Sequence, residues 1–187
     1  MMSNMMGNQQ QPNIQKNSQE FEDLEPYIDK SKIQCLNQDD KFPLDSALFD
    51  KSSNIYLKSE CDQQLVIQLG FNAPVKIHHM NFRVPNIDDS APEHIRLFVN
   101  QQNLDFDSCE NFVCAQEFDL TNEDFKSSTL LRYVKFQSVN HLTVKNKAFV
   151  NILYIIINRF LFKVIEELNK LKFLKLDCLD KLYTKQI

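Results

Sequence analysis

Gln64-Leu65-Val66-Ile67-Gln68-Leu69-Gly70-Phe71-Asn72-Ala73-Pro74-Val75-Lys76-Ile77-His78-His79-Met80-Asn81-Phe82-Arg83-Val84 sets the fold class. Leu65, Ile67 and Leu69 fall on one face of an extended chain, where successive side chains alternate sides. The run then meets Gly70 and Asn72-Ala73-Pro74, turn-forming residues that predict a reversal. Val75 and Ile77 open the next run in one phase, and Met80, Phe82 and Val84 close it in the other. The phase changes across His78-His79, as it would at a β-bulge. Outward from this stretch the same period recurs. Ile95, Leu97 and Val99 alternate with His94, Arg96, Phe98 and Asn100, and Val134 and Phe136 alternate with Tyr133, Lys135 and Gln137. Such short alternating runs between turn residues predict an antiparallel all-β domain over 21–144. One helical turn is expected where Thr121 precedes Asp124 by three residues, a spacing that satisfies free N–H groups.

The two ends differ from this body. Residues 1–20 are rich in Gln, Asn and Met and hold no apolar run, so they read as a disordered leader without a signal peptide. Residues 145–187 contain nine Lys or Arg against four Asp or Glu, and neither Gly nor Pro. Within them, 148–162 is interrupted by two Asn and one Arg and is shorter than the roughly 20 apolar residues that a membrane helix needs. From 162 to 182 the apolar residues follow a helical period with Lys and Glu between them, which predicts an amphipathic helix. The expectation is a divergent, basic, helical tail over 145–187.

Composition excludes several kinds of chemistry. The chain has 187 residues, 43% apolar and 25% charged, which suits one folded domain with tails. A net charge of −4 gives no reason to expect nucleic-acid binding. Five cysteines (Cys35, Cys61, Cys109, Cys114, Cys178) at irregular spacing read as reduced thiols of a cytoplasmic or nuclear protein. No Cys-x-x-Cys pair occurs, and adjacent His78 and His79 on a strand face opposite ways, so no metal site is expected. His94 and His141 have no partner in any nucleophile motif. With only two glycines there is no phosphate-cradling loop. The acidic turns Asp88-Asp89 and Asp105-Phe106-Asp107 lack the spacing of a calcium loop.

The body resembles the PITH domain, the proteasome-interacting thioredoxin domain, nearly end to end. The similar segments begin with Asp23-Leu24, Tyr27-Ile28-Asp29-Lys30-Ser31 and Cys35-Leu36-Asn37. Pro43-Leu44, Ala47-Leu48 and Leu57-Lys58-Ser59-Glu60-Cys61-Asp62-Gln63-Gln64-Leu65 follow in order. Downstream come Phe71-Asn72-Ala73-Pro74-Val75-Lys76-Ile77, Ala91-Pro92 and Ile95-Arg96-Leu97-Phe98-Val99-Asn100. Leu104-Asp105-Phe106-Asp107 and Arg132-Tyr133-Val134-Lys135-Phe136-Gln137-Ser138-Val139-Asn140 complete the series. The resemblance implies a jelly-roll β-sandwich similar to galactose-binding domains. It further implies a non-catalytic docking module on the regulatory particle of the 26S proteasome; apart from the resemblance, the expectation is a monomer without cofactor that binds neither nucleic acid nor membrane.

A thioredoxin domain precedes this module in one branch of the family. Here there is no Trp-Cys-x-x-Cys motif and no Trp at all, so the chain looks like the stand-alone branch, and redox activity is not implied. Asp105, Phe106 and Asp107 are the candidate partner-binding residues, an aromatic flanked by acids, with Phe106 tucked into the core as the plainer reading. An adaptor on a cytoskeletal or axonemal assembly is the alternative function. A lectin would need aromatic platforms that a chain without Trp does not offer. After Val144 the chain departs from the family's acidic, glycine-containing turn and closing strands, and its A- and T-rich codon set favours out-of-frame sequence. A sandwich without those strands is expected to leave an open sheet edge.

Overall fold

In the computed structural model of the protein, which describes residues 22–50, 55–87, 91–148 and 154–163, the quoted stretch is one continuous strand, Gln64–Arg83 (β4). Around it lie Glu22–Asp23 (β1), Ile28–Leu36 (β2), Leu57–Lys58 (β3), Pro92–Val99 (β5), Gln116–Asp119 (β6), Thr129–Leu130 (β7), Val139–Ala148 (β8) and Tyr154–Lys163 (β9). Two short helices, Leu44–Phe49 (α1) and Phe106–Asn111 (α2), sit in the connections. Every strand pairing is antiparallel, and the strand order is β1-β9-β4-β8-β5-β6, with β2 and β7 also on β4 and β3 on β9.

β4 passes from one sheet to the other. Up to Val75 it pairs with β2 and β8, and from Lys76 it pairs with β9 and, at His79 and Met80, with β7. The reversal expected at Asn72-Ala73-Pro74 is therefore corrected to a crossing between sheets. Pairing to β8 lapses between Gly70 and Val75. That gap is where Pro74, which has no N–H to give a ladder, can sit in a strand. The bulge expected at His78-His79 is present: register to β9 shifts between Ile77 and His79, and Val75, Ile77, Met80 and Phe82 are all buried despite the change of phase.

The sheets face each other across one core. Leu65, Ile67, Leu69, Ile95, Leu97, Leu142 and Val144 from the first sheet pack with Ile77, Met80 and Phe82 from the second. The ring centroids of Phe82 and Phe118, from opposite layers, are 6.1 Å apart. Each such side chain contributes about 1.5–3 kcal/mol by leaving water. The chain is thus an antiparallel β-sandwich, as expected. Gly70 admits β2 at close range: a Cβ there would lie 2.5 Å from Lys32 Cβ.

Three other expectations meet the structure. Thr121 and Asp124 form the expected turn, with the Thr121 N–H and Oγ1 both donating to Asp124 Oδ2, at 2.8 and 2.6 Å. Tyr133–Phe136 is a 3-10 turn rather than the expected strand: Lys135 N donates to Arg132 O, Phe136 is buried, and Val134 is 87% exposed. Five alternating residues do not distinguish a strand from such a connector. The change expected at residue 145 is also corrected. β8 runs on to Ala148, and 154–163 pair with β4, β1 and β3. The backbone of β9 therefore covers one edge of β4. The Ile-rich run that had been weighed only as a membrane segment has the β-branched composition of a strand. The rest of the expected helix, beyond Lys163, and the leader lie outside the described residues.

One core residue breaks the apolar pattern. Asn146 is fully buried on the inner face of β8, in register with Leu65 and Ile95, and neither side-chain atom has a hydrogen-bond partner. A buried amide without partners loses its water for nothing. Asn146→Leu is expected to stabilise the protein by about 1–3 kcal/mol, read as a higher denaturant midpoint at unchanged slope. A lower midpoint would show that the amide is satisfied in solution.

Candidate functional site

The outer face of the first sheet is set by the residues that the inner face leaves over. On β5 these are His94, Arg96 and Phe98. Arg96 stands in register with Glu117 of β6 and Lys145 of β8, and His94 with Asp119 and Lys147. Lys145 is in turn opposite Val66 of β4. α2 lies over this face. Val66, Phe98, Leu104 and Cys109 form a small buried cluster of their own, with Leu36, Phe106 and Cys114 half-buried against it. Phe98, expected outward by alternation, is outward from the main core and fully buried beneath this cover.

α2 has six residues, too few to hold itself together, and it is fixed at both ends. At its start the Asp105 side chain accepts from Ser108 N at 2.7 Å, and hydrogen bonding from the Ser108 side chain, then from its N–H, holds the Asp105 carboxyl below the usual carboxylate range. At its end the Arg96 guanidinium donates to the carbonyls of Cys109, Glu110 (3.4 Å) and Phe112 (3.3 Å). These are the orphan acceptors that a helix leaves at its C-terminus. Arg96 Nε also lies 3.4 Å from Glu117 Oε2, an ion pair rather than a hydrogen bond. Lys145, 4% exposed, extends its Nζ to Glu110 Oε1. Hydrogen bonding to Lys145, then the Lys145 and Arg96 charges, hold the Glu110 carboxyl low. These groups line a cleft of about 260 Å³ with His94, whose Nδ1 is 2.6 Å from Asp119.

The three residues singled out from the sequence divide between structure and surface. Asp105 is the helix cap. Phe106 is half-buried against the satellite cluster, and Asp107 is exposed in the first turn. The exposed aromatic is instead Phe112, 50% exposed, beside Val113 at 85%. Sequence reasoning missed both, together with Arg96, Glu110 and Lys145. The only local signal was Arg96 in the outward phase of its strand.

Two of the thiols are quiet. Burial pushes the Cys109 thiol up to about 11 and the Cys35 thiol up to about 12, so both stay protonated at neutral pH. Among the described residues no group of three or more His, Cys, Asp or Glu could hold a metal ion, and no helix is long and apolar enough to cross a membrane.

Fold and site together define an antiparallel β-sandwich module with a helix clamped to one outer face. The family model for the PITH domain matches residues 14–149, and the chain belongs to that family. It is 37% identical over 129 residues to thioredoxin-like protein 1 of Schizosaccharomyces pombe, covering 66% of this chain and 44% of that protein. It is 28% identical over 127 residues to PITH domain-containing protein 1 of Dictyostelium discoideum, covering 65% and 62%. The chain thus spans less than two thirds of the length of these relatives. Among solved structures it is similar to a CBM32 domain from a family 31 glycoside hydrolase of Clostridium perfringens. The TM-score there is 0.48 and the identity 12%, over 73% of this chain and 95% of that one.

Proposed function

We propose that the chain is a non-catalytic interaction module that docks on the regulatory particle of the 26S proteasome, in the cytoplasm or nucleus. Family membership supports the class of function, and the clamped α2 supports the place. The carrying observation is the pinning of a short helix at both ends, by Asp105 and Arg96, next to exposed Phe112 and Val113. Preorganised apolar side chains on a rigid base are what a protein partner captures at low entropic cost. Asp107, exposed in the first turn of the same helix, supplies an acid, and Asp105 and half-buried Phe106 act as the base.

Affinity purification of the tagged full chain tests this, with regulatory-particle subunits quantified by mass spectrometry. The chain is expected to retrieve them, and Phe112→Asp with Val113→Asp to retrieve about tenfold less at unchanged thermal midpoint. Undiminished retrieval by the double variant moves the contact elsewhere. No retrieval by the soluble wild-type chain, with capture of a cytoskeletal or axonemal assembly instead, favours the adaptor reading.

A further inference from the structure

The segment that follows β6 is built as a second presentation surface, separate from α2. Leu131 is buried, and its N–H donates to His78 O at 2.9 Å. Arg132 N donates to Gln116 Oε1 at 2.7 Å. The Tyr133 ring lies 4.2 Å from that of His78, Gln137 Nε2 donates to Tyr133 O at 2.9 Å, and Phe136 is fully buried. Five anchors thus hold about one turn and a half of irregular chain. What they leave outside is consistent in kind: Leu130, 64% exposed, Val134, 87% exposed, and the exposed cations Arg132 and Lys135.

Neither cation makes an ion pair among the described residues, whereas Lys32, Lys58, Lys126, Arg96 and Lys145 all do. From Phe125 to Ala148 the sequence holds five Lys or Arg and no Asp or Glu, in a chain whose net charge is −4. Apolar side chains held in water between unpaired charges of one sign are complementary to a surface of the other sign with apolar groups of its own.

We propose that Leu130, Arg132, Val134 and Lys135 form a docking surface for an acidic protein segment that carries apolar side chains between its carboxylates. Val134 and Leu130 meet the apolar side chains, and Arg132 and Lys135 meet the carboxylates on either side. A phosphate backbone or an anionic bilayer is the poorer fit. Two free cations neutralise little of a polyanion, and nucleic-acid affinity grows with the number of phosphates met.

The test uses the full chain and a fluorescein-labelled peptide of alternating Glu and Leu, with Gln-for-Glu and Lys-for-Glu peptides beside it, read by anisotropy. Binding is expected for the Glu peptide alone and to weaken with added salt. Arg132→Glu with Lys135→Glu is expected to weaken it about tenfold, as is Val134→Asp, a change at a site too exposed to unfold the protein. Lys30→Glu with Lys41→Glu, the same change in net charge on other elements, is expected to leave it intact. Equal binding of the Gln peptide, equal loss in the control variant, or no loss in either surface variant overturns the proposal. So does binding of phosphatidylserine vesicles or a single-stranded oligonucleotide in place of the peptide. No proteasome subunit is present in the assay, so its outcome is independent of the α2 reading.

Discussion

Phe98→Ala is expected to cost about 3–5 kcal/mol, the range for removing a buried aromatic ring. Phe98 is fully buried although it sits on the outward phase of β5, because Val66, Leu104 and Cys109 close over it. Only Cys109 of these belongs to α2, and Leu104 precedes the helix by one residue beyond its cap. The ring is therefore the floor on which a helix too short to stand alone is laid. An alanine leaves a void with apolar walls, and the backbone of β5, paired with β6 up to Leu97 and with β8 at Phe98 itself, cannot move in to fill it. A midpoint lower by about 6–20 °C follows for a chain of this size. Retrieval of proteasome subunits is expected to fall with it, because Phe112 and Val113 lose their rigid base. A loss under about 1 kcal/mol at unchanged denaturant slope would mean that α2 rests on its polar clamps and not on the ring.

How much of this was legible in the sequence depended on whether the cause was local. Leu65-Ile67-Leu69 and Ile95-Leu97 could be read because the period of a strand is written in neighbouring residues, and the bulge at His78-His79 because a slip in phase is equally local. Asn72-Ala73-Pro74 misled because the same residues serve a turn and an interrupted strand, and only the partners of β4 on either side decide between them. β9 was missed for a related reason: its place beside β4 is settled by long-range pairing, and the surrounding composition of Lys, Leu and Glu pointed to a helix. The site was the least legible part. Asp105 and Ser108 are only three residues apart, yet in the sequence Asp105 reads as a partner-binding residue and not as a cap. Arg96 and Lys145, by contrast, reach Glu110 from 14 and 35 residues away. Their meeting depends on the register between β5 and β8, which places Arg96 opposite Lys145.

Arg96→Ala tests that meeting directly. One guanidinium, 15% exposed, serves three carbonyls at the end of α2 and two carboxylates, Glu110 and Glu117. Its charge also opposes the negative end of the helix dipole. Loss of this fork is expected to cost about 1.5–3 kcal/mol and to speed amide exchange at the end of α2 before it affects the main core. Arg96→Lys should restore little, because an ammonium is a point donor and cannot span carbonyls and carboxylates together. The pH dependence has a definite sign. Glu110 is held low in the folded chain, first by Lys145 and then by the neighbouring charges. Its contribution is complete above the ordinary carboxylate range and is lost as the pH falls through its depressed value. Without Arg96 one of the cations that depress Glu110 is gone, so the acid limb of the stability curve moves to higher pH. An acid limb in the same place, with unchanged exchange at Phe112, would assign the clamp to Lys145 alone and leave Arg96 a spectator of its own cleft.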